Sequence, residues 1–163
     1  MLALAKEVKN LSTFSHVSTC YVNCTRSGPI AEEIYDMDKI DVEQYVKGIM
    51  SMTKEQADKA EANILGNFPN TYTFTKNLSE KALFKNKGNL NVCLVRPAII
   101  ASSLKEPFPG WTDTLSAAGG ITLLTGIGLI HYIEASGKNR FDVTPVDLVT
   151  NHIIVGTAFA PMK

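Results

Sequence analysis

Tyr72 and Lys76 stand four residues apart in the stretch PNTYTFTKNLSE, residues 69–80. A lysine ammonium beside a tyrosine phenol can act on its proton; the same pair held apart cannot. The polar–apolar alternation of TYTFT reads as a strand. On a strand the two side chains would share a face at a distance of ~13 Å, at about 3.3 Å per residue. On a helix the four-residue step brings their Cβ atoms to about 5–6 Å. The chemistry open to the pair therefore depends on the element that carries it.

Other candidates are weighed the same way. HVSTCYV places Ser18 and Thr19 near the C-terminal end of an apolar, β-branched run, where open α/β sheets bind ligands. Hydroxyls in that position are also commonly satisfied by backbone, so the run alone does not choose. YDMDK repeats the Tyr-x-x-x-Lys spacing at Tyr35 and Lys39, in an acidic segment without the helix-then-strand context, and reads as chance. For Tyr72 and Lys76 the alternative is a surface tyrosine and a lysine paired with Glu80. Cys20, Cys24 and Cys93 are odd in number and have no Cys or His partners at zinc spacing, so they read as reduced thiols with no metal. His16 and His152 sit beside apolar residues and read as structural, without a nucleophile–base arrangement.

The elements decide the first question. Asn70 is a good N-cap, and Phe74, Leu78 and Ala82 fall on one face at i, i+4 and i+8. KNKG closes the segment with basic residues and Gly88, as helix C-termini prefer. The resulting run is too long for an ordinary strand, and a helix is predicted. Residues 14–23 and 90–100 read as buried strands. Residues 42–65 read as one or two helices, with TKEQ at Thr53 to Gln56 as a capping box. A short strand is expected in RFDVTPV and a helix from DLVTNHII. LALAKEVKNL spaces Leu4, Val8 and Leu11 as one helical face; with no N-cap and no leader before it, the chain reads as starting in mid-element. Helix and strand alternate as in a parallel α/β sheet.

Composition bounds the rest. The chain has 163 residues, enough for one domain with a core. Its 16 Lys and Arg balance 16 Asp and Glu, and no basic run interleaves with aromatics, which argues against nucleic acid as the main partner. With 45% hydrophobic residues, long disorder is not expected. No segment reaches the ~20 apolar residues that span a bilayer. The nearest, ITLLTGIGLI at residues 121–130, reads as core packing or as ligand-facing.

A strand-end hydroxyl, Tyr-x-x-x-Lys on a helix, and a strand ending in Arg-Pro together resemble the extended short-chain dehydrogenase/reductases. FSHVSTCYVN, PNTYTFTKNLSE, VCLVRPAIIASSLKEPFPGWTD and DVTPVDLVTNHII, in that order, resemble the alcohol-forming fatty acyl-CoA reductases. KEPFPGW and TPVD are more specific than the Tyr/Lys pair, and the resemblance is weakest over residues 26–60. It implies an α/β fold with an incomplete Rossmann-like parallel sheet. It also implies NADPH as cofactor, and reduction of a long-chain acyl-CoA to an aldehyde and then an alcohol. Tyr72 would be the general acid that protonates the carbonyl oxygen and would also contribute to the cofactor site. Lys76 would stabilise the phenolate, so that a proton is given and regained near neutral pH, and would hold the ribose hydroxyls. Thr19, or its neighbour Ser18, would orient the carbonyl. Pro97, Ala98, Ile99 and Ile100 would pack on the nicotinamide. Residues 121–133 would help line an acyl-chain channel, with core packing the reading carried forward.

The glycine-rich phosphate-binding turn of that family is not found. GIGLIH, at residues 126–131, has His131 where the third glycine belongs and follows the Tyr/Lys helix. Residues 1–163 are therefore expected to be an interior part of an NAD(P)-binding reductase domain, binding NADPH poorly and inactive alone. An intracellular location is expected, at peroxisomal or endoplasmic reticulum membranes by resemblance, with membrane contact only through segments outside these residues. The alternatives are another thioester reductase or epimerase-like enzyme, which KEPFPGW argues against, and a non-catalytic protein that binds a partner through an open sheet edge.

Overall fold

The computed structural model describes residues 1–36, 41–115 and 118–162. They form two compact units. The first comprises Met1–Phe14 and Ser18–Val92, and the second comprises Ser15–Val17 and Cys93 onward.

In the first unit, helix α1 (Leu2–Glu7) stops before its predicted face is complete. Val8 is already extended, and Leu4, Val8 and Leu11 are all exposed; only Ala5 is buried. So short a helix has little intrinsic stability, and regular spacing does not supply a surface to bury against. Strand β1 (Phe14–Val17), most of which belongs to the second unit, is likewise shorter than the predicted run to Asn23. The Thr19 hydroxyl accepts from the Tyr21 N–H at 3.4 Å, and the backbone winds into a 3-10 turn over Cys20–Asn23. A side chain that bonds its own backbone competes with the strand ladder.

Helices α2 (Val42–Met50) and α3 (Lys54–Leu65) both start on side-chain caps. Asp41 accepts from the N–H groups of Glu43 and Gln44. The predicted capping box forms in full: Gln56 N–H donates to Thr53 Oγ1 at 3.3 Å, and Thr53 N–H donates to Gln56 Oε1 at 2.9 Å. Helix α4 (Thr71–Asn86) begins at Asn70, whose Oδ1 accepts from the Thr73 N–H at 2.9 Å. Its Phe74 and Leu78 meet Val42 in the core, with Tyr45 and Phe68 edge-on to the Phe74 ring at 6.1 and 5.6 Å. Lys85 on the last turn of α4 donates to the Asp41 carboxylate at 2.9 Å. That bond holds the Asp41 pKa below, and the Lys85 pKa above, their ordinary values.

In the second unit the predicted strand over residues 90–100 is two strands. β2 (Val92–Val95) bonds to β1; β3 (Ile99–Ala101) pairs in parallel with β4 (Val143–Pro145), giving two two-stranded sheets. Pro97 lies at the break. Proline has a fixed φ and no N–H to give a ladder. Helix α6 (Val146–Phe159) follows β4 without a loop. A Cβ at Gly156 would lie 3.2 Å from Cys93 Sγ, so glycine there lets α6 close on β2. The alternation of helices with short strands is that of an incomplete Rossmann-like α/β domain, as the sequence led one to expect.

Helix α5 (Ala118–Gly126) departs from expectation. It packs on β3, yet none of its residues is buried, and Ile127, Leu129 and Ile133 beyond it are exposed. The core-packing reading of residues 121–133 is therefore wrong. A segment apolar all round carries no record of which side is covered.

Candidate active site

Residues Thr71–Asn86 are helical, so Tyr72 and Lys76 lie one turn apart on one helix. The threonines that suggested a strand turn their hydroxyls back into the helix: Thr75 donates to the Thr71 carbonyl at 2.7 Å, and Thr73 donates to Asn70. Each satisfies itself locally, so the β-branched run does not break the helix. With α4 formed, Lys76 Nζ lies 6.0 Å from the centroid of the Tyr72 ring, at the limit of cation–π attraction. Tyr72 is 54% exposed, while its neighbours Thr73 and Phe74 are buried. The buried side of α4 thus fixes the helix, and the Tyr72 ring is left open to a ligand.

The strand-end hydroxyls lie in the same compact unit. α4 packs against the 3-10 turn, where Asn77 Nδ2 donates to the Val22 carbonyl at 3.0 Å and Val22 is fully buried. Thr19 caps that turn. Ser18 is 5% exposed, and among the described residues its Oγ has no hydrogen-bond partner. A buried hydroxyl without a partner carries a desolvation cost of about 1–3 kcal/mol, which a ligand atom bonding to it would remove. Pro97, Ala98, Ile99 and Ile100 belong to the second unit, where they lead from β2 into β3 and are half-buried up to Ile100, which is exposed.

A cavity of the first unit, of about 470 Å³, lies apart from the Tyr72–Lys76 pair: it is lined by Asn23, Arg26, Phe74, Asn77 and Lys81, among others, but not by Tyr72 or Lys76. Tyr35, of the second Tyr-x-x-x-Lys match, accepts from the Ala31 N–H at 2.8 Å and lies under the Arg26 guanidinium. Its Lys39 lies outside the described residues. His152 is exposed, with Nδ1 2.8 Å from the Leu148 carbonyl oxygen. Among the described residues Cys20, Cys24 and Cys93 form no disulfide. Among the described residues no three His, Cys, Asp or Glu side chains cluster as a metal site.

Sequence reasoning missed Asp147. Its carboxylate is buried and accepts from the N–H groups of Leu104 and Lys105 at 2.9 Å each and of Glu106 at 3.2 Å. These bonds, that from Leu104 foremost, hold its pKa down at about 2. An aspartate in the first turn of a helix is ordinarily read as favourable to that helix alone. Nothing in TPVD signals that it serves a loop about forty residues upstream.

A model of an NAD-binding family described as Male sterility protein matches residues 1–153. Fatty acyl-CoA reductase 1 of Xenopus laevis and of Homo sapiens, and fatty acyl-CoA reductase 2 of Mus musculus, are each 36% identical to the chain over 151 residues. Those alignments cover 93% of this chain and 29% of each relative. The chain thus spans less than a third of the length of the curated relatives it matches.

Proposed function

The chain belongs to the Male sterility protein family of NAD-binding domains, and from that premise we propose that the whole protein reduces long-chain fatty acyl-CoA to fatty alcohol with NADPH. The observation that carries the proposal is the Tyr72–Lys76 pair, held on one face of a capped helix with the ammonium 6.0 Å from the ring centroid. The names of the relatives support an acyl-CoA substrate. NADPH rather than NADH follows from the family resemblance.

In this reading the nicotinamide cofactor, when bound, would supply the hydride for both reductions, that of the thioester and that of the aldehyde. Tyr72 donates its phenolic proton to the carbonyl oxygen as negative charge develops there. Lys76 stabilises the phenolate left behind and holds the ribose hydroxyls. The carbonyl is oriented by a strand-end hydroxyl, Thr19 or Ser18. Thr19 already accepts a backbone bond through its oxygen, whereas the buried Ser18 hydroxyl has no partner among the described residues. Pro97, Ala98, Ile99 and Ile100 pack on the nicotinamide. CoA thiol leaves in the first round, and alcohol is the product of the second.

Among the described residues no helix is long and apolar enough to cross a membrane. The proposed site of action, at peroxisomal or endoplasmic reticulum membranes, would rest on segments outside this chain. The test is to purify the protein at its native length and incubate it with a long-chain acyl-CoA and either NADPH or NADH. NADPH consumption with formation of fatty alcohol is expected. Absence of both products, aldehyde and alcohol, removes the reading.

A further inference from the structure

The loop after β3 is closed on itself. Ser103 N–H donates to the Trp111 carbonyl, and Gly110 N–H to the Ser103 carbonyl, both at 2.9 Å; the Ser103 hydroxyl donates to the Phe108 carbonyl. Gly110 takes φ +84°, a conformation that glycine adopts without strain. Beneath the loop, three consecutive N–H groups end on the Asp147 carboxylate. The register explains why. Ala101 pairs with Pro145 across the parallel β3–β4 ladder, so Ser103 and Asp147 each lie a dipeptide step beyond paired residues, at the same end of the sheet.

Within this tied loop Trp111 is half-buried, whereas two other large apolar side chains are left outside. Leu104 is 53% and Phe108 58% exposed, although burying such a side chain fully is worth about 1.5–3 kcal/mol. We propose that Asp147 is a positioning residue, holding Leu104, Lys105 and Glu106 so that Leu104 and Phe108 stand as an apolar wall for the alkyl chain of the acyl-CoA. The inference rests on the reductase reading given above. β3 runs directly from Pro97 and Ala98, the proposed neighbours of the nicotinamide, into Ser103 and this loop. The carbonyl carbon must lie at the nicotinamide to accept hydride, so the alkyl chain starts close to the wall. The carboxylate, with its pKa at about 2, stays ionised in neutral solution and keeps all three bonds.

The test uses the protein at its native length, with hexadecanoyl-CoA and butanoyl-CoA as substrates. Phe108→Ala leaves every Asp147 bond intact. It should raise KM for the long substrate by roughly tenfold, the scale of apolar-pocket discrimination, and leave kcat and the butanoyl-CoA KM unchanged. Asp147→Asn replaces one acceptor oxygen with an NH2 donor. It should show the same chain-length-selective rise together with faster amide exchange at Leu104, Lys105 and Glu106. Equal losses on both substrates for Asp147→Asn, with Phe108→Ala silent, would overturn the inference and leave a purely structural aspartate. If the unaltered protein reduces neither substrate, the reductase reading itself fails, and the wall with it. If it reduces both and Phe108→Ala is silent, only the wall fails.

Discussion

Helices α4 and α5 invert the usual relation between composition and burial. α4 reads TYTFTKNLSEKALFKN, rich in polar and charged residues, yet Thr73, Phe74, Leu78, Glu80, Lys81 and Leu83 are all buried. α5 reads AGGITLLTG, and no residue of it is buried. The difference lies in what each helix has been given to pack on. α4 is fixed at its start by Asn70, at its end by the Lys85–Asp41 ion pair, and along its length by Phe74, Leu78 and Asn77. With those constraints it can leave Tyr72 exposed without losing its place. Hydropathy measures how much a segment gains by being covered; it does not say whether a cover is supplied.

Substitutions on the two helices should have very unequal effects. Phe74→Ala removes the ring at the centre of the first unit's core and should cost about 3–5 kcal/mol, read as a lower urea midpoint with an unchanged slope. A loss under about 1 kcal/mol would mean that α4 is not anchored as described. Asn70→Ala removes only the cap and should cost about 1 kcal/mol, with the Tyr72 end of α4 fraying first in amide exchange.

The Asp147 latch should show itself in acid. Its pKa lies at about 2 in the folded chain against an ordinary 3.8. The contribution it makes is therefore fully present above the ordinary value and is lost as pH falls from there through about 2. Asp147→Asn should flatten the fall in melting temperature across that window; an unchanged slope would show that other carboxylates dominate it. The smallest effect is expected on α5. Leu123→Gln keeps helix propensity on a residue that is already exposed, and should stay within about 0.5 kcal/mol of the parent. A loss as large as that of Phe74→Ala would show α5 to be covered in the native-length protein, and the contrast would fall.

What could be read in advance followed from local physics. Asn70, the Thr53–Gln56 box and the i, i+4, i+8 face of α4 act within a few residues, and each was legible in the letters. The strand over residues 14–23 was overextended because the Thr19 hydroxyl, a candidate for chemistry, also ends the ladder. The apolar run over residues 90–100 forms two strands because Pro97, with no N–H to give a ladder, interrupts it. Tyr72 and Lys76 needed only the helix, so their pairing was legible. The reach of Asp147 to Leu104, Lys105 and Glu106 was not, because it joins segments far apart in sequence. Burial of α4 and exposure of α5 belong to that second class as well.

The most direct test of the central claim is the rate of long-chain acyl-CoA reduction by NADPH in the native-length protein with and without Tyr72→Phe. If the α4 pair performs the proton transfer, the substitution lowers kcat by about 10²–10⁴-fold, while NADPH affinity and melting temperature stay close to those of the parent. A rate within a few-fold of the parent would contradict the account, and the proton would have to come from elsewhere in the protein.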